Sequence, residues 1–159
     1  RGEITQARYV AATSVDELRG RLLAAAEVAG LESAKLVAVV SDGASWIHNL
    51  CAEIFPGAIL VLDWPHVLEH LMDCAKALLG EGSPLLAAWE ETTTTLVFER
   101  GRADILLLEL RALLDTPDVE NNPVVDLIRY IENNLDRIDY PRFRALGLPV
   151  GSGVIESAH

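Results

Sequence analysis

At 159 residues, half of them hydrophobic, the chain is long enough for one sizeable core but not comfortably for two, so one unit with an insertion is expected. Acids outnumber bases 24 to 13, for a formal net charge of -11. That balance argues against a stand-alone nucleic-acid binder built on Lys and Arg clusters, but not against a catalytic core whose DNA-gripping parts lie elsewhere. Carboxylates gathered around a divalent cation push the balance this way, as do ordinary solvated helix faces. Cys51 and Cys74 form no C-x-x-C pair, which indicates neither a zinc pair nor a disulfide framework and makes a reduced, cytoplasmic setting the default. No apolar run approaches the ~20 residues of a membrane span, and no signal-peptide pattern opens the chain. A start on Arg1 and a stop at His159, just after a new helix begins, lead us to expect a fragment of a longer protein.

In chain order, "EITQARYVAAT" (3–13) alternates loosely and predicts a strand. Ser14 with Glu17 three residues on is a capping box, and the helix it opens closes at Gly30. "KLVAVV" predicts a buried strand feeding a turn at Ser41-Asp42-Gly43, followed by a helix in "SWIHNLCAEIF" that Pro56-Gly57 stops. "AILVLDW" predicts a second buried strand ending at Asp63. Pro65 then stands near the first turn of a long helix reaching Gly80, with Asp63 or Trp64 as its cap. Strand and helix alternate through residue 80, which implies an α/β layer with parallel strands.

Beyond Gly80 three segments carry helical apolar spacing: "SPLLAAWEETTTTLVFE", "RADILLLELRALLD" and "NPVVDLIRYIENNLD". The threonine run 92–95 lowers helix propensity in the first. From Tyr140 the chain reads as irregular until "GSGVIESAH", whose Gly-Ser-Gly resembles an N-cap with Glu156 in the first turn of a helix. The expected division is an α/β core over 1–80, a helical insertion over 81–139 and a return to the core over 140–159.

Three carboxylates hold chemically interesting places. Asp42 and Asp63 both end buried strands, and ligands of open α/β sheets sit beyond the carboxyl ends of strands. Glu156 follows a glycine-rich approach. Converging, such groups hold magnesium; singly, each has a structural explanation as turn residue, helix cap or dipole partner. A competing constellation is "HVLEH", in which His66 and His70 share a helix face with Glu69 between them. This is the H-x-x-E-H pattern of inverted zinc peptidases, with Glu69 as general base, although no third ligand is distinguished.

Three blocks then combine. "VVSDGASWIHNL", "FPGAILVLDWPHVLEHL" and "YIENNLDRIDYPRFRALGLPVGSGVIESAH" resemble, in order and spacing, the DDE transposases of bacterial insertion sequences, specifically the Kra-type family, over nearly the whole chain. The resemblance implies an RNase H-like α/β fold with an all-helical insertion ahead of the catalytic glutamate. It implies that Asp42 is the second catalytic aspartate and Glu156 the catalytic glutamate, both coordinating two Mg2+ or Mn2+ ions that activate water, and later a 3' hydroxyl, for attack on DNA phosphodiesters. Asp63 and His66 then match the supporting D-x-x-H motif, which explains "HVLEH" without zinc.

The chain departs from the family at Pro65, where an aromatic is usual. The family's first catalytic aspartate would lie upstream of "EITQARYVAAT", and Asp16, in the first turn of a capped helix, is no substitute. The chain alone is therefore expected to be inactive. Arg137, Arg142 and Arg144 are its candidate DNA contacts, against an equal expectation that they pair with nearby acids. The implied partners are element-end and target DNA and further copies of the chain, with no membrane. The other readings are a zinc metallopeptidase using His66, Glu69 and His70, and a decayed or domesticated remnant that folds without catalysis.

Overall fold

The computed structural model describes residues 12–114 and 122–151. The predicted strand at 3–13 and Glu156 thus lie outside the described residues, the strand save for its last two positions. The described chain is mixed α/β, mostly helical, with a small sheet of two parallel strands. Those strands, β1 (Ala38–Ser41) and β2 (Ile59–Leu62), are joined through helix α2 (Ser45–Ile54). The Ile59 amide donates to Val37 O at 2.9 Å and the Asp63 amide to Ser41 O at 2.8 Å, which fixes the register at both ends.

By its contacts the chain separates into two compact units, Arg1–Val39 with Gly43–Leu60 and Val40–Asp42 with Val61–His159, a division that falls across the strands. In the first unit, helix α1 (Val15–Val28) starts where the capping box puts it. The Ser14 hydroxyl accepts the Glu17 amide at 3.2 Å, and the Glu17 carboxylate reaches back to the amide and hydroxyl of Thr13, one residue beyond the usual target. The chain turns at Gly30, whose φ of 73° few other residues tolerate. Arg19 pairs with Asp16 and spans to Glu53 on α2. No residue of α1 is buried, whereas α2 buries Leu50, Cys51 and Ile54.

The second unit holds most of the buried side chains. Helix α3 (Trp64–Leu79) begins immediately after Asp63 and accommodates Pro65 in its first turn, where a missing N–H costs nothing. Helix α4 (Leu86–Thr93) continues into a π-helical segment, Thr94–Glu99, over the threonine run. Thr93, buried, turns its hydroxyl back onto Trp89 O at 2.8 Å, the local competition that makes threonine a weak helix former. Helices α5 (Ala103–Ala112) and α6 (Pro123–Glu132) follow, the latter capped by the Asn122 side chain. α3 packs against both α4 and α6, and α5 against α6, where Arg111 and Glu132 also pair.

One expectation is corrected here. The stretch from Tyr140 is not irregular: it forms helix α7 (Tyr140–Ala145), preceded by a short 3-10 turn, Leu135–Arg137. The Asp139 carboxylate accepts the Arg142 amide, Pro141 fits the first turn, and Tyr140 and Phe143, one helical turn apart, are both fully buried. Too short to be stable alone, α7 is held by that burial.

Candidate carboxylate site at the strand ends

The sequence places Asp42 and Asp63 just past the last residues of adjacent parallel strands. Asp42 to Ala44 connect β1 to α2 without forming a turn, and Gly43 takes a φ of 87°, a left-handed conformation that favours glycine. Asp63 occupies the N-cap position of α3, but its side chain makes no capping hydrogen bond there. The simplest structural explanation for that aspartate, a helix cap, therefore fails.

The carboxyl-terminal approach returns to the same place. The Trp64 amide donates to Val150 O at 3.0 Å, closing the chain's return onto the first turn of α3. At Gly151 an added Cβ would lie 3.3 Å from Pro65 Cδ and 3.5 Å from Asp63 Oδ1, so the glycine passes directly over the aspartate. Glu156, five positions further on, is outside the described residues.

An aromatic group fixes this corner. The Trp64 ring lies 4.8 Å from Phe98 and 5.4 Å, edge-on, from Tyr140, while the Tyr140 hydroxyl donates to Leu62 O at 2.9 Å. That bond ties α7 to the last residue of β2. Burial first, then the Tyr130 and Asp63 charges, raises the Tyr140 pKa and keeps its hydroxyl a donor.

"HVLEH" forms a chain of polar contacts along α3. His66 Nδ1 lies 3.4 Å from Glu69 Oε2, and His66 Nε2 lies 3.3 Å from His70 Nε2. Which ring nitrogen donates in the His66–His70 contact depends on the tautomer. Burial, then the neighbouring His66, lowers the His70 pKa and favours a neutral His70. The same separation would suit two nitrogens on one zinc ion, but a zinc site needs a third protein ligand. Among the described residues no group of three or more His, Cys, Asp or Glu is placed to hold a metal.

For magnesium the described residues supply two carboxylates, the oxygen donors a hard cation takes, and the expected third is Glu156. Asp42 and Asp63 do not by themselves make a metal site among the described residues. No protein-family model, curated protein or solved structure matches the chain.

The three arginines have distinct settings. Arg144 stacks over the Phe98 ring at 4.7 Å and donates to Phe98 O at 2.9 Å and Glu99 O at 3.3 Å, so it serves the π-helical segment. Arg142 is exposed on α7, and Arg137 is half-buried and engaged with its surroundings.

Sequence reasoning missed Tyr130. It sits on α6 with its ring 4.0 Å from that of His70, and burial, followed by the Asp42 and Asp63 charges, raises its pKa. Within "LIRYIE" it reads as one more apolar-face residue, and only the fold brings it against His66 and His70.

Proposed function

We propose that the chain forms part of an RNase H-like catalytic core of the DDE transposase kind, which cuts and joins DNA with divalent cations. The observation that carries this reading is the convergence on Asp63. Asp42 and Asp63 end adjacent parallel strands, and Gly151, leading to Glu156, passes 3.5 Å from Asp63 Oδ1 when its missing Cβ is built.

In this reading Asp42 and Glu156 hold Mg2+ or Mn2+, and Asp63 with His66 supports them. The ions supply Lewis acidity toward a phosphoryl oxygen and lower the pKa of a bound water. The protein's own part is positional. The Tyr140 hydroxyl and the Trp64 amide fix the end of β2 and the returning chain against each other. The His66 ring is held by Glu69 and His70, so its orientation is set before substrate arrives. The substrate is DNA, and the working form is a homo-oligomer on paired element ends. The zinc peptidase reading is weaker because its two histidines have no third ligand among the described residues.

Calorimetric titration with Mn2+ and with Zn2+ separates the two. Mn2+ binding that is lost on Asp42→Asn, and that tightens the binding of a DNA duplex to the wild type but not to that variant, supports the proposal. Stoichiometric zinc lost on His70→Ala, with Mn2+ binding indifferent to Asp42, overturns it in favour of the peptidase.

A further inference from the structure

Residues 147–151 leave α7 and return to the start of α3 on few attachments. Once the Gly147 amide has closed α7 on Arg144 O, two backbone hydrogen bonds hold the segment among the described residues: Leu148 N to Phe143 O at 2.9 Å, and Trp64 N to Val150 O at 3.0 Å. Pro149 has no N–H to add a third. Gly147 takes a φ of 74°, the left-handed conformation in which a chain turns off a helix end. No residue of the segment is buried, whereas Phe143 in α7 and Leu71 and Ala75 in α3 are fully buried. Parting the segment from α3 thus uncovers no interior side chain, which places it among the low-energy openings of a fold.

What the segment covers is Asp63. A Cβ built on Gly151 would stand 3.5 Å from Asp63 Oδ1 and 3.3 Å from Pro65 Cδ, so a residue without a side chain passes there most easily. The Trp64 amide holds the far end. As the first residue of α3 it has no acceptor within the helix, whose own ladder starts with Val67 N to Asp63 O at 3.1 Å. The Trp64 ring is clamped between Phe98 and Tyr140, so this donor is fixed while its acceptor lies on the lightly held segment.

We propose that residues 147–151 form a strap over Asp63, hinged at Gly147 and latched by the Trp64 amide, which opens to give the Asp63 carboxylate access to solvent and substrate. Its use rests on the reading of the strand ends as the functional site; the motion itself belongs to the chain without metal or DNA. A glycine at the hinge absorbs the backbone change that opening requires. The latch is a single hydrogen bond, so closure is reversible, and the aromatic clamp on Trp64 returns the strap to the same place each time it closes.

Two measurements on the whole chain test the strap: native-state amide exchange, and labelling of carboxylates by a water-soluble carbodiimide with glycinamide. In the wild type we expect the Trp64 amide to exchange at least about a hundredfold faster than that of Leu71, which waits for the core to unfold. Gly151→Ala puts a methyl group against Pro65 and should speed both Trp64 exchange and Asp63 labelling by roughly tenfold. Leu71 exchange should stay as it was, as should labelling of Asp73, an exposed carboxylate on the same helix. Exchange of Trp64 at the rate of Leu71 would make the segment a fixed part of the core and overturn the inference. So would a rise of Leu71 exchange in step with Trp64 in the variant, or equal labelling of Asp63 in the two proteins. Neither measurement contains metal or DNA, so the strap stands or falls separately from the Mn2+ titration that tests the site.

Discussion

Helices α1 and α6 are stabilised in opposite ways. α1 has 14 residues and none is buried; it is held by the Ser14 cap, the reach of Glu17 to Thr13 and the ion pairs of Arg19 and Arg21. α6 has 10 residues and buries Val124, Leu127, Ile128 and Ile131 on one face. Exposed ion pairs contribute at most about 1 kcal/mol each, whereas a fully buried aliphatic side chain contributes about 1.5–3 kcal/mol. The first unit's leading helix thus depends on local bonds, and the second unit's helices on their shared interior.

The comparison is most easily broken at the aromatic corner. Phe143→Ala removes a fully buried ring and should cost about 3–5 kcal/mol of unfolding free energy in urea. A loss below about 1 kcal/mol would show that the second unit is not held by this interior. Tyr140→Phe leaves Leu62 O without its partner, and we expect a smaller loss of about 1–3 kcal/mol, together with weaker protection of the β2 amides in hydrogen exchange.

Burial at Cys74 gives a pH signature. The thiol is pushed up to about 11 from 9.0 by desolvation. Between those values the unfolded chain has released a proton that the fold retains, so this stability is complete below about pH 9 and is lost as pH rises toward 11. The unfolding free energy of Cys74→Ala, from urea titration, should fall less steeply across that window, by on the order of 1 kcal/mol per pH unit. Parallel slopes for the two proteins would remove the assignment.

The smallest effect sharpens the contrast from the other side. Ser14→Ala should cost α1 about 1 kcal/mol, read as faster amide exchange in Val15–Val28. Exchange in α6 should not change. Acceleration there would mean that the two regions do not differ as described.

The same contrast governs what the sequence disclosed. α1 was legible because its start signal, Ser14 with Glu17, acts within one turn. The two strands and the start of α3 were legible from short apolar runs ended by Asp-Gly and by Asp63 ahead of Pro65. α7 was not, because its stability comes from Tyr140 and Phe143 packing inside the second unit and from a bond to Leu62, 78 positions away. The π-helical form of Thr94–Glu99 was hidden for a related reason: the threonines announce a weak helix, not which helix replaces it. The places of Asp42 and Asp63 just past the strands were legible from the apolar runs, while the pairing of His66 with Asp63 came from the family resemblance. Tyr130 was invisible, since nothing in "LIRYIE" says that its ring will stack on His70 with its hydroxyl buried.

The proposed function requires that the strand-end carboxylates and the returning chain form one divalent-cation site. Paramagnetic broadening by substoichiometric Mn2+, read on the assigned amides, tests it most directly. We expect the amides of Asp42, Gly43, Asp63, Trp64 and Gly151 to disappear first, and Asp42→Asn to restore them. Broadening centred on the acidic face of Glu90, Glu91 and Glu99, with the strand ends untouched, would contradict it.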